Sequence, residues 1–178
     1  MLLIFTGNGK GKTTAALGQA LRAVGDDKCV LVIQFIKGPF KSGEDYFASK
    51  FQVPSSKFQV LKGGLGFVGI LGDKLSFEEH KKSARETWEL AKKEILSGKW
   101  DLVVLDEINN SLHLNLLSLD EIFYFLRDFK TKAEKPDIIL TGRDAPDKLI
   151  ELADLVTEMK EIKHPYKKGG EAKRGIEF

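Results

Sequence analysis

The stretch that most constrains this chain is Leu2-Leu3-Ile4-Phe5-Thr6-Gly7-Asn8-Gly9-Lys10-Gly11-Lys12-Thr13-Thr14. Its apolar start reads as a buried strand, the glycines as a turn, and Lys-Thr-Thr as the opening of a helix. A glycine-rich loop in that context aims successive N–H groups into one concavity, and the helix adds the positive end of its dipole. The result is a phosphate cradle made by Gly7, Asn8, Gly9, Lys10, Gly11, Lys12, Thr13 and Thr14. Lys12 is expected to reach the outer phosphates, and the Thr13 hydroxyl to hold a magnesium ion. Lys12 reads as an exposed loop residue, replaceable without loss of fold. The usual G-x-x-x-x-G-K-[ST] spacing needs glycine at position 6, where Thr6 stands. Counting from Gly7 leaves three residues before Gly11-Lys12, so the order of phosphates along the loop stays open.

A chain of 178 residues suits one domain with a sizeable core. A net charge of +2 gives no general pull toward nucleic acid or a membrane. Basic residues gather in a tail from about residue 160: Lys160, Lys163, Lys167, Lys168, Lys173 and Arg174. The single cysteine, Cys29, excludes an intrachain disulfide and reads as a small core residue within an apolar run. No apolar run approaches the length of a membrane span. With the first strand starting at Leu2, no signal peptide is read, and a cytoplasmic protein is expected.

Strands and helices alternate along the rest of the chain. A helix over 13–24 carries Leu17, Ala20, Leu21 and Val24 on one stripe, with Gly25 as its C-cap. The apolar run 29–35 reads as a strand covered on both faces. A short helix near 44–51 and a strand at 58–61 follow. Residues 62–72 then carry five glycines among Leu65, Phe67, Val68, Ile70 and Leu71. This stretch reads either as a mobile surface loop or as a mobile apolar lid over a ligand. Ser76 and Glu79 form a capping box for a helix with Phe77, Ala84, Trp88, Ala91 and Ile95 inward, His80 solvated, and Gly98 beyond its end. A strand at 102–105 runs into Asp106-Glu107, placing carboxylates beside the phosphate loop. Asn109, Asn110 and His113 read as a site-lining loop. Ser118 with Glu121 opens another helix, with Leu119, Ile122, Phe123 and Leu126 on its core face. A strand at 137–141 leads to Arg143, which stands where it pairs with phosphate or makes a surface salt bridge. Pro146 opens a short helix to about 153, and a strand at 155–159 precedes the tail. This alternation predicts a single α/β domain over 1–178, with right-handed crossovers and a mostly parallel central sheet covered by helices.

With these segments read, the chain resembles the P-loop type of ATP:corrinoid adenosyltransferase over nearly its whole length. The resemblance rests on Thr6 to Thr14 with its shortened spacing, Gln34-Phe35-Ile36-Lys37-Gly38, Ser42-Gly43-Glu44, Val104-Leu105-Asp106-Glu107 and Thr141-Gly142-Arg143. It continues through Ala153 to Met159, Lys163-His164-Pro165-Tyr166 and Gly175-Ile176-Glu177-Phe178. The resemblance implies that a Co(I) corrinoid such as cob(I)alamin attacks the C5′ carbon of ATP and that triphosphate leaves. ATP would lie reversed against the loop. Lys12, Arg143 and Mg²⁺ on Thr13 would carry the triphosphate charge, with Glu107 the first choice as metal carboxylate and Asp106 the second. Phe67 matches the first aromatic of a Gly-Phe-Thr-Trp segment that displaces the corrinoid's lower ligand and eases its reduction. Gly69 stands at the tryptophan position, with Ile70 or Leu71 beside it to fill the gap. Longer members carry an extra N-terminal segment that is not seen here. The resemblance further implies a three-layer α/β P-loop NTPase fold of RecA-like type, a homodimer and a flavoprotein reductant.

Two other classes stay open on the residues alone. A P-loop ATPase or kinase would use Glu107 to activate water and would yield ADP. A non-catalytic corrinoid or nucleotide carrier would bind both ligands and turn over neither. Nucleic-acid binding rests on the basic tail alone, and it would be steeply salt-dependent.

Overall fold

Six short strands hydrogen-bond into one sheet: β1 (Leu2–Thr6), β2 (Val30–Gln34), β3 (Phe58–Lys62), β4 (Leu102–Asp106), β5 (Asp137–Thr141) and β6 (Leu155–Glu158). Their spatial order is β3-β2-β4-β5-β1-β6, and every pairing is parallel. The computed structural model describes all residues except Pro39, Phe67, Ile70, Leu71, Ala133, Glu134, Tyr166, Lys167, Lys168, Gly170, Glu171, Glu177 and Phe178.

Helices α1 (Lys12–Gly25), α2 (Glu44–Lys50), α3 (Phe77–Ile95), α4 (Ile108–His113), α5 (Leu119–Lys130) and α6 (Asp147–Leu152) flank the sheet. Every residue of β2 and β4 is buried, which is why these strands read as unbroken apolar runs rather than alternating ones. On one face Val30, Val32, Val104 and Ile139 meet Ala16 and Ala20 of α1. On the other, Leu31, Ile33, Val103 and Leu105 meet Ala84, Trp88 and Ile95 of α3 and Ile122 and Leu126 of α5. Successive side chains of one strand thus enter opposite cores, and the three-layer α/β architecture follows. β5 lies between β1 and β4, so the carboxyl ends of all three strands meet along one edge of the sheet.

Several elements depart from the sequence reading, each for a local reason. The inward stripe of α1 is Lys12, Ala16 and Ala20, spaced by four, and Leu21 is turned outward. Small side chains on that stripe let α1 lie close against the sheet. The helix runs through Gly25 to an Asp26 cap, and the left-handed residue after it is Asp27. Cys29 precedes β2, half-buried, and its N–H donates to Asp101 Oδ2 at 2.8 Å. Asn109, Asn110 and His113 belong to α4 rather than to a loop. Ser118 caps α5, but the Glu121 carboxylate does not return to it. Glu121 instead accepts from Trp88 Nε1 at 2.8 Å and Lys92 Nζ at 3.0 Å, satisfying the indole N–H of a buried core residue.

The box at Ser76 and Glu79 forms in full, yet Phe77 is exposed and His80 is only 4% exposed. His80 Nε2 lies 2.8 Å from Asp73 Oδ2. Asp73 also accepts the N–H groups of Gly69 (2.8 Å) and Leu75 (3.0 Å), so one carboxylate ties the glycine-rich stretch to α3. Farther back, Gly63 donates to Gln34 O at 2.9 Å and accepts from the Ser83 and Thr87 hydroxyls at 2.6 and 3.0 Å. A Cβ on Gly64 would sit 2.3 Å from Phe35 O. Both ends of the stretch are therefore anchored. Val68 packs on the core and Leu65 stays exposed, while Phe67, Ile70 and Leu71 lie outside the described residues. We expect Asp73→Ala to leave His80 and two N–H groups without their acceptor, lowering the urea midpoint and raising hydrogen exchange at Gly69 and Leu75.

Candidate functional site

At the end of β1 the chain turns through Gly7 (φ +95°), and the loop is laid against the segment that follows β6. A Cβ on Gly7 would meet Met159 O at 2.5 Å, and one on Gly9 would meet it at 2.8 Å. The Gly9 N–H donates to Met159 O at 2.6 Å, and Met159 N–H donates to Thr6 O at 2.8 Å. Of the loop amides expected to face phosphate, that of Gly9 is therefore taken by the protein itself. Gly11 (φ +122°) begins α1 with no side-chain cap, so the first-turn N–H groups remain available to an anion. Lys12 is buried, not exposed. Its Nζ donates to Gly7 O and to Gly9 O, both at 2.8 Å, closing the loop over its own carbonyls. Burial holds this ammonium below the usual lysine range, with Glu107 opposing the shift.

Asp106, the last residue of β4, is fully buried. Its Oδ1 accepts from the Thr13 hydroxyl at 2.8 Å and the Thr141 hydroxyl at 2.7 Å. Its Oδ2 accepts from Gln34 Nε2 at 3.2 Å and lies 3.1 Å from Lys37 Nζ. The carboxylate is thus held by the phosphate loop's helix, by β5, by β2 and by the turn after β2. Gln34 Nε2 and Lys37 Nζ also reach Glu44 Oε1, at 3.0 and 3.3 Å. Burial alone would raise the Glu44 pKa, but hydrogen bonds from Ser42, from its own backbone and from Gln34, with the Lys37 charge, bring it down to about 2. Burial lowers Lys37, yet Asp106 and Glu44 outweigh it and hold this ammonium above the usual range.

Glu107 takes a left-handed backbone (φ 65°), and its N–H donates to Thr141 Oγ1 at 2.9 Å. Its Oε2 is buried and has no hydrogen-bond partner among the described residues. Burial, with the Asp106 charge second, pushes this carboxyl up to about 7. Glu107 lines a cavity of about 370 Å³ with Lys12, Thr13, Thr14, Lys37 and Glu44, and Gly175 and Ile176 of the tail close one side. A neighbouring cavity of about 310 Å³ is lined by Asn8, Lys10, Lys12, Arg143, Glu161 and His164. Lys12 borders both. Arg143 is exposed, and its N–H donates to Asn110 Oδ1 at 2.6 Å. A larger cavity of about 810 Å³ opens at the amino end of the sheet, among Lys28, Trp100 and Asp137. It lies far from the loop, the acidic pair and Arg143, so chemistry rather than volume places the site.

The structure brings Lys12, Thr13, Thr14, Asp106 and Glu107 together, with Arg143 on the adjoining wall. Phe67 lies outside the described residues. His113 sits apart, its Nδ1 3.5 Å from Asp144 Oδ2 on the surface. Asn109 is fully buried, with neither side-chain polar atom partnered among the described residues. Sequence reasoning did not single out Gln34, Lys37, Glu44 or Thr141 as site residues. The available signal was a polar residue ending an apolar strand, twice, at Gln34 and Thr141. Among the described residues no group of three or more His, Cys, Asp or Glu side chains is placed to hold a metal ion. The Thr13 hydroxyl, Asp106 and the unpartnered Glu107 oxygen nevertheless fit a hard cation that takes few protein ligands and completes its shell with phosphate and water.

The raised Glu107 carboxyl is a stability statement. Its ordinary value is 4.5 and its folded value about 7, so the unfolded chain releases this proton first as pH rises. The associated stability is complete below pH 4.5 and is lost as pH rises to about 7. Urea unfolding without nucleotide or divalent metal is expected to show Glu107→Gln close to the parent at pH 4.5. At pH 8 the variant should be more stable, by about 3 kcal/mol at most. A difference independent of pH would show that the carboxyl is not raised.

The family model for the ATP:corrinoid adenosyltransferases BtuR/CobO/CobP matches residues 1–178. A corrinoid adenosyltransferase of Escherichia coli (strain K12) is 36% identical over 178 residues, covering 100% of this chain and 85% of that protein. One from Sinorhizobium sp is 37% identical, covering 100% of this chain and 80% of that protein. Among solved structures, a KaiC-like protein from Pyrococcus horikoshii OT3 superposes with a TM-score of 0.49 at 16% identity, covering 91% of this chain and 74% of that chain.

Proposed function

The chain belongs to the ATP:corrinoid adenosyltransferase family, an ATP-dependent transferase family that adenosylates corrinoids, and on that premise we propose how its own residues divide the work. The observation that carries the reading is the juxtaposition of a lysine-closed phosphate loop with a buried Thr13–Asp106 pair and an unpartnered Glu107 oxygen. That is a polyphosphate site with a cation end.

The substrates are ATP and a Co(I) corrinoid. The corrinoid's cobalt is the nucleophile toward C5′, so the protein supplies no base for this step. Its work is in-line positioning and stabilisation of the departing triphosphate. The first-turn N–H groups of α1, Lys12 and Arg143 carry that charge. Gly7, Asn8, Gly9, Lys10 and Gly11 shape the loop, and Thr14 continues it into the helix. Thr13 and Glu107, with Asp106 next, would hold a magnesium ion. When bound, such an ion supplies further neutralisation of the polyphosphate. Phe67 is assigned to displacement of the corrinoid's lower ligand. We assign residues 1–178 to one domain whose basic tail from about 160 lies along the loop, as Glu161, His164 and Ile176 lining the cavities support. A homodimer and a flavoprotein reductant complete the proposal. Among the described residues no helix is long and apolar enough to cross a membrane.

One observation favours a second reading. A buried carboxyl with a pKa of about 7, beside the loop, suits a general base that activates water. Phosphoryl transfer would follow, with ADP as product. The deciding experiment is incubation with MgATP and chemically reduced cob(I)alamin, without oxygen and in the dark, following the corrinoid spectrum and the phosphate products. Adenosylcobalamin with triphosphate is expected. ADP without a cobalt–carbon product would overturn the assignment.

Lys12→Ala is expected to slow adenosylation by on the order of 10²–10³-fold, the usual effect of removing a donor to developing negative charge. Because Nζ also holds two loop carbonyls, the same change should cost about 1 kcal/mol in unfolding. Near-parental turnover would count against the assignment. Phe67→Ala should reduce the rate more when Co(II) is reduced on the protein than when Co(I) is supplied. Equal losses would remove its ligand-displacement role.

A further inference from the structure

Lys37 has no part in the division of work above, yet its ammonium sits between two carboxylates of the site. Its Nζ lies 3.1 Å from Asp106 Oδ2 and 3.3 Å from Glu44 Oε1. Gln34 Nε2 donates to the same two carboxylates, at 3.2 and 3.0 Å, and so holds them turned toward one point. The backbone that presents Lys37 is fixed on both sides. Phe35 N–H donates to Asp106 O at 3.0 Å, and the Phe35 and Ile36 side chains are buried. Behind them Gly64 packs with no room for a Cβ, and Gly38 (φ +58°) is pressed as closely against Gly66. Lys37 therefore does not sample the surface as a free lysine does; its ammonium is held between Asp106 and Glu44.

We propose that Lys37 is the internal counter-cation of this site: it neutralises Asp106 and Glu44, so that a divalent cation binds together with nucleotide polyphosphate and not ahead of it. The inference rests on reading Thr13, Asp106 and Glu107 as the cation end of the site. A second positive ion approaching Asp106 Oδ2 meets the ammonium there, and Oδ1 already accepts two hydroxyls. Among the described residues, the buried carboxylate oxygen without a hydrogen-bond partner is Glu107 Oε2. One carboxylate oxygen and one hydroxyl make a poor cage, and among the described residues no group of three acids, histidines or cysteines offers a better one. Polyphosphate oxygens must supply the rest of the shell. Lys37 is thus a positioning residue: it acts on the cation through the carboxylates it holds.

The test is a Mn²⁺ titration followed by electron paramagnetic resonance, with and without inorganic tripolyphosphate, on the parent protein, Lys37→Arg, Lys37→Gln and the double variant Lys37→Gln with Glu44→Gln. Without tripolyphosphate the parent and Lys37→Arg should bind Mn²⁺ weakly and within about twofold of each other. Lys37→Gln should bind it at least tenfold more tightly, and the double variant should return to the parental value. With tripolyphosphate all four should bind. No gain in Lys37→Gln, or an equal gain in Lys37→Arg, overturns the proposal. Because Lys37→Gln leaves buried carboxylates unpaired, circular dichroism checks its fold. Parent crystals soaked in Mn²⁺ answer the same question without a variant. Anomalous signal beside Asp106 only when tripolyphosphate is present supports the proposal, and signal without it overturns it. If Mn²⁺ binds to the parent under neither condition, the cation reading itself falls and the proposal with it.

Discussion

The structure depends on one buried charge. Asp106 ends the central strand of a parallel sheet, where water cannot reach it, and an unpaired carboxylate there would cost more than the fold can supply. Four groups meet it instead, from α1, β5, β2 and the turn after β2. They come from three separate stretches of the chain, around Thr13, Gln34 to Lys37, and Thr141. Satisfying this one side chain therefore fixes the relative height of β2, β4 and β5 and the start of α1. The phosphate loop is held in place partly by its own glycines and partly because Thr13 has an appointed partner 93 positions away.

The same economy explains why the acidic pair divides its labour. Asp106 meets four donors, so neither of its oxygens faces an apolar wall. Glu107, one residue on, turns through a left-handed conformation and leaves Oε2 with no protein donor among the described residues. Adjacent carboxylates differ in this way because a strand sends one side chain into the sheet's edge, while the turn that follows sends the next toward the cavity. One acid is tied into the frame of the site, and the other lines the cavity beside it.

Much of this was legible in the sequence. The alternation of apolar runs with amphipathic segments foretold the layers, and the loop from Gly7 to Thr14 and the acidic pair do meet at one edge of the sheet. Resemblance to a known family supplied the substrates, which no spacing rule could have done. What stayed illegible depended on partners distant in sequence. His80 looks like any polar residue on a helix surface until Asp73 folds against it. Glu121 satisfies a local capping pattern, but the indole of Trp88 offers its carboxylate a buried donor, and the tertiary contact wins. Lys12 reads as a solvated loop residue because its binding partners are main-chain carbonyls, which carry no sequence signature. Lys37 and Glu44 are ordinary charged residues until Gln34 aligns them.

The bond from Gly9 to the carbonyl of Met159 joins two points 150 positions apart. A phosphate loop is usually thought of as a local motif, complete once its strand and helix exist. Here its shape is finished only when the last strand has docked at the sheet's margin. In kinetic terms, the finished loop is among the most topologically remote features of the molecule, and its closure entropy falls due late in folding. Nascent chains would carry the motif long before they carry the pocket. Competence to hold nucleotide thus becomes a report that the whole sheet has been assembled in order.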